Sequence, residues 1–148
     1  MENTKKRELL NGIAKARISH MKWKSYFEVS LRNIANFRIN MEEVQPISTE
    51  CEFGEWYYEE GQVMNRINIY GEIEKVHEKV HESYFKIVGI INKNNKGFFV
   101  SNSTYIQTKQ FLVDDELLNL NNYSSILRGL LGQLEIAINK LPDEYFAV

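Results

Sequence analysis

Two histidines four residues apart, His77 and His81, are the first residues of this sequence that could do chemistry together. On a helix that spacing projects both imidazoles from one face about a turn apart, so their ring nitrogens can converge on one ion. The same spacing also arises on packed or solvated helices, where a histidine only bonds a backbone carbonyl, so the pair alone is a weak signal. The chain holds one further histidine, His20, and a single cysteine, Cys51. A lone cysteine has no internal disulfide partner, which leaves its thiol for metal binding, redox chemistry or plain packing. Taken together, His20, Cys51, His77 and His81 match the donor set of one tetrahedral zinc ion, three imidazole nitrogens and a thiolate. No other His or Cys remains for a second metal, so one Zn2+ per chain is expected. Four protein ligands leave no position for a reacting water, so no hydrolytic site, and no enzyme, is expected. A di-iron bundle would need more ligands than three histidines, or repeated Glu-x-x-His motifs that are absent here.

The elements that must bring these residues together are legible in the hydrophobic pattern. From about Lys6 to Ile34, Ile13, Ala16, Trp23, Phe27, Leu31 and Ile34 recur at helical steps, and His20 fills the missing step of that buried stripe. The pattern fades between Ala35 and Ser48, around Pro46. A short helix is expected from Thr49, whose spacing to Glu52 is that of a capping box, with Cys51 in its first turn and Gly61 as its stop. A third helix is expected over about Asn65 to Asn92, with Tyr70, Ile73, His77, His81, Tyr84, Val88 and Ile91 on one face. Asn92 to Gly97 reads as a loop, and Phe98 to Val113 as irregular or partly helical. A closing helix from Leu117 to Leu141 ends before Pro142. The pattern predicts an all-α antiparallel four-helix bundle with an additional short helix carrying the cysteine.

The run Cys51-Glu52-Phe53-Gly54-Glu55-Trp56, the pair Tyr57-Tyr58, the later His77-Glu78-Lys79-Val80-His81 and the upstream His20-Met21-Lys22-Trp23-Lys24 resemble the chemoreceptor zinc-binding family, CZB. The resemblance covers roughly residues 10–91, with 92–114 a possible insertion, and the whole of 1–148 is expected to form one domain. It implies His20, Cys51, His77 and His81 as the zinc ligands, a homodimer, and a role in bacterial signal transduction beside a chemoreceptor or a diguanylate cyclase. The function it implies is zinc sensing; the alternative is an oxidant sensor in which hypochlorite attacks the zinc-bound Cys51. Phe53, Trp56 and Trp23 are expected to pack beside the metal, and Gly54 to permit close approach of a neighbour. Glu74 or Glu78 could accept a ligand histidine's second N–H.

Composition narrows the partners. A net charge of -2 and a pI near 6.0 give no electrostatic reason to hold a polyanion, so no nucleic acid partner is expected. Hydrophobic residues at 43% and charged residues at 26% are the mixture of a packed soluble domain. No apolar run approaches the roughly 20 residues that cross a bilayer, and the first residues lack the apolar core of a secretory signal. A cytoplasmic protein without a membrane partner is expected.

Overall fold

The computed structural model describes residues 4–31, 48–93 and 96–146. Among these residues there are four α-helices and no strand: α1 Thr4–Ser30, the short α2 Glu52–Tyr58, α3 Asn68–Asn92 and α4 Asn102–Lys140. Single 3₁₀ segments follow α2, at Glu60–Met64, and α4, at Asp143–Phe146. The all-helical class and the short cysteine-bearing helix are as the pattern predicts.

The direction of the helices follows from their contacts. Near the start of α1 the Lys6 ammonium donates to the carbonyls of Asn139 and Leu141 at the end of α4, each at 3.0 Å, and Arg17 pairs with Glu135 at 2.9 Å. At the other end of α1, Phe27 and Leu31 pack with Val113 and Leu120. These two helices are therefore antiparallel. On α3, Lys109 of α4 donates to the Ile91 carbonyl at 2.7 Å while Leu134 and Ile138 share a cluster with Ile73, so α3 and α4 are antiparallel as well. His20 lies beside His77, Trp23 beside His81 and Phe27 beside Tyr84, which makes α1 and α3 parallel.

The apolar interior falls into two clusters. One gathers Leu9, Ile13, Phe53, Tyr57, Ile73, Leu127, Leu134 and Phe146; the other gathers Phe27, Leu31, Tyr84, Ile87, Ile91, Val113 and Leu120. Each such aliphatic side chain removed from water stabilises the fold by roughly 1.5–3 kcal/mol. Between the two clusters lie most of the buried polar residues of α1, α3 and α4: His20, then His77 and His81, then Ser124. A polar layer thus crosses the bundle where the clusters meet.

Three boundaries differ from the sequence pattern. The short helix is capped by Cys51 itself, not by Thr49: the cysteine is extended, at φ −78° and ψ 159°, and its sulfur accepts from the Gly54 N–H. Thr49 lies in the turn before it, and Glu52 reaches across to α1 instead of back to a cap. The third helix starts at Asn68, three residues late, because Glu60–Met64 takes the tighter 3₁₀ form. The largest difference is α4, which begins at Asn102 with Ser101 as its cap, its hydroxyl accepting from the Thr104 N–H at 3.1 Å. Residues 102–114 are thus the opening turns of a long helix. Their Phe, Val and Ile content favours strand, but Val113 and the side chains below it cover Ile87 and Ile91 of α3, and that burial overrides a weak local preference. Ile34 and the expected turn around Pro46 lie outside the described residues.

The start of α3 is clamped to the end of α2. The Tyr57 hydroxyl donates to the Tyr70 carbonyl at 2.8 Å, and the Tyr70 hydroxyl donates back to the Tyr57 carbonyl. The two rings stack with centroids 4.2 Å apart, and both are buried. Gln62 adds a third bond, to the Tyr57 carbonyl at 3.1 Å.

Candidate metal centre

The four candidate ligands come from three stretches of backbone: α1, the start of α2, and α3. His77 and His81 stand on consecutive turns of α3, with ring centroids 4.8 Å apart and the planes nearly perpendicular. Cys51 arrives from the N-terminus of α2, where its sulfur lies 3.4 Å from His77 Nε2 and 3.3 Å from the Gly54 nitrogen. One donor atom from each of Cys51, His77 and His81 lies within 4.8 Å of the other two. This is the set that the geometry brings together. His20 joins it from α1 less closely: its ring centroid is 6.1 Å from that of His77, and its Nε2 is 3.4 Å from the Ser124 hydroxyl of α4.

Aromatic rings wall the cluster. Phe53 lies against His77 at 4.3 Å, and Trp23 stacks on His81 at 5.8 Å with the planes within 9°. Trp23 also touches His20, at 5.6 Å. Trp56 sits one layer out, against Phe53 and in the notch left by Gly12, where a Cβ would stand 2.3 Å from its Nε1. Gly54 allows a close approach too, but to the chain just before α2: a Cβ there would lie 1.9 Å from the Ser48 carbonyl oxygen. That contact folds the Ser48 turn over the helix start and fixes Cys51 as the cap.

Burial sets the protonation of the donors. Desolvation holds His20 down at about 4, helped by His81, Lys24 and Arg128. His77 is held lower still by the same desolvation and by the two other histidines. Both rings are therefore neutral at pH 7 and present lone pairs. The Cys51 thiol is pushed up by burial, which outweighs the hydrogen bonds from the Gly54 and Phe53 backbone. A helix N-terminus ordinarily lowers a thiol, but here half-burial costs more than the few N–H dipoles return. A bound cation supplies the missing term, since a metal deprotonates a coordinating thiol outright. A thiol and two buried imidazoles at mutual ligand distance fit zinc.

Of the other residues singled out in the sequence, Glu74 accepts from the Tyr58 hydroxyl. Two residues with no chemical motif also belong here. Ser124 is legible only as a polar residue on the buried stripe of Leu120, Leu127 and Leu131, the same signal that marks His20 on α1. The Ser19 hydroxyl donates to the Glu52 carboxylate, joining the residue before His20 to the residue after Cys51.

A helical bundle in which a cysteine and two buried histidines converge at ligand distance has the donors to hold a metal ion there. Residues 20–88 match the family model of the chemoreceptor zinc-binding domain, CZB. The match begins at His20 and contains Cys51, His77 and His81. No curated protein and no solved structure matches the chain.

Proposed function

We propose that the chain is a zinc-responsive regulatory module in which His20, Cys51, His77 and His81 hold one Zn2+ and occupancy of that site is the signal. The observation that carries the reading is the convergence of Cys51, His77 and His81 within 4.8 Å in the polar layer between two apolar clusters. The bound ion would supply charge to hold the thiolate and to bridge α1, α2 and α3. Neutral His20 and His77 offer lone pairs without a proton to displace, whereas Cys51 must release one on binding. Ring contacts of Phe53 and Trp23 shield the His77 and His81 rings from water. With four protein ligands the ion would keep no open position for a reacting water, which supports a regulatory role over a catalytic one. Its output passes through a homodimer and a signalling partner of the chemoreceptor or diguanylate cyclase kind, in the cytoplasm.

The test is metal content and chelator competition on the purified chain. One equivalent of zinc, lost in a Cys51→Ala/His77→Ala variant that keeps its helical spectrum, supports the reading. Iron, two metals per chain, or unchanged binding in the variant overturns it. A second reading has one observation in its favour: Cys51 is the one member of the quartet that is not fully buried. An oxidant such as hypochlorite could reach that sulfur, and oxidation to sulfenic acid would alter its charge and its grip on zinc. Faster zinc release by dilute oxidant than by chelator favours this second reading.

A further inference from the structure

The connection between α3 and α4 carries a surface that the metal centre does not use. Phe98 and Phe99 are 94% and 96% exposed, with ring centroids 5.2 Å apart, at the tip of the hairpin that these two helices form. Two adjacent aromatic side chains left almost wholly in water have no role in the core, and large exposed apolar groups of this kind mark sites of association. The charge around them is equally uneven. Between Glu82 and Asp114 the chain has four lysines, Lys86, Lys93, Lys96 and Lys109, and no acidic residue. With -2 on the whole chain and +4 on this segment, the remainder carries -6. Only Lys86 of the four meets a carboxylate among the described residues, Glu116 at 3.9 Å. Lys96 bonds the neutral Asn102 side chain, and Lys109 bonds a backbone carbonyl and lies over the Tyr105 ring, so both keep their charge uncompensated.

We infer that this hairpin tip docks on an anionic lipid surface, with Phe98 and Phe99 entering the headgroup boundary and Lys93, Lys96 and Lys109 facing the phosphates. A lipid surface is favoured over a protein because the two rings project from a convex tip instead of lining a groove, and because anionic leaflets attract short lysine clusters next to apolar anchors. The -6 carried by the rest of the chain is repelled by the same surface and orients the hairpin toward it. This is association at a surface: no helix is long and apolar enough to cross a membrane among the described residues. The site lies about three turns of α3 beyond His81, so it is separate from the ligands and does not depend on the zinc reading.

Co-sedimentation of the full chain with vesicles tests it, using phosphatidylcholine alone and phosphatidylcholine with about 30% phosphatidylglycerol. Binding to the anionic vesicles only, weakening with added salt, is the expected result. The Phe98→Ser/Phe99→Ser and Lys93→Glu/Lys96→Glu variants should each lower that affinity by about tenfold or more, with helicity and zinc content unchanged. Equal binding to neutral vesicles, no binding to anionic ones, or variants that bind as the wild type overturn the proposal. So does light scattering in which the phenylalanine variant falls from dimer to monomer, because the tip is then covered by a second copy.

Discussion

Ser19 of α1 donates its hydroxyl to the carboxylate of Glu52 on α2, and each residue is the immediate neighbour of a candidate ligand, His20 and Cys51. The bond therefore sets the spacing of two backbones that the ion must bridge. Glu52→Ala is expected to weaken zinc binding about two- to fivefold, the worth of one exposed hydrogen bond to a charged group. Glu52→Gln, which can still accept, should lie between. Chelator competition on the three proteins measures this, and equal affinities would show that the ion positions the two helices unaided.

Cys51 serves as ligand and as helix cap, and two substitutions separate those roles. Cys51→Ser and Cys51→Ala should both lose most of the zinc affinity. Only Cys51→Ala removes the acceptor for the Gly54 N–H, so it should lower the metal-free stability by about 1 kcal/mol relative to Cys51→Ser. Denaturant unfolding in the presence of a chelator distinguishes the pair.

Gly54 and Gly12 make opposite predictions from the same kind of contact. Alanine at Gly54 would drive a methyl into the Ser48 carbonyl oxygen, a backbone atom with nowhere to go. At Gly12 it meets the Trp56 ring, which can swing aside, and helix propensity returns up to about 1 kcal/mol. Gly54→Ala should therefore destabilise by more than about 2 kcal/mol and Gly12→Ala by clearly less. Thermal unfolding of both variants checks the order.

The metal-free protein should lose stability in weak acid. His20 is depressed from 6.5 to about 4, and His77 is depressed further, so between these values the unfolded chain binds more protons than the folded one. Stability is then fully present above pH 6.5 and falls as the pH drops toward 4, at up to about 1.4 kcal/mol per pH unit for each histidine. Urea midpoints measured with chelator at about pH 7, 6 and 5 should decrease in that order. A flat profile would mean that the rings are solvated.

Ser124 holds His20 from α4, beyond the residues that match the family. Ser124→Ala should weaken zinc binding about fivefold while leaving the helical spectrum unchanged. Unchanged affinity would remove His20 from the set of ligands or free its ring from α4.

Much of this was legible because the signals were periodic. Every position expected on the buried face of α3, from Tyr70 to Ile91, is buried, and His20 occupies the buried stripe of α1 as its spacing predicts. The cluster of Cys51, His77 and His81 was legible as donor chemistry plus spacing. What escaped the sequence depends on contacts between distant segments. Residues 102–114 become helical because α3 needs a cover, Ser19 and Glu52 matter because two helices meet there, and Ser124 is marked only by its place on the stripe of Leu120 and Leu127, which does not name its partner His20. The cap escaped because Cys51 was read as a ligand only, while its sulfur also takes the acceptor role usually filled by Ser, Thr, Asp or Asn.

The reciprocal bonds between Tyr57 and Tyr70 limit how far a change at the site can carry the short helix. A seven-residue helix left to itself would be loosely held and free to swing away when its cysteine lets go. With Phe53 and Tyr57 buried and the tyrosines locked carbonyl to hydroxyl in both directions, the far end of α2 is a fixed pivot. On the proposed reading, release of the sulfur would rotate the first turn about that pivot, by the length of a seven-residue lever, and the displaced edge is the one that carries Glu52 against Ser19 of α1. Motion of that kind would be short in reach and directed at a single neighbour, α1.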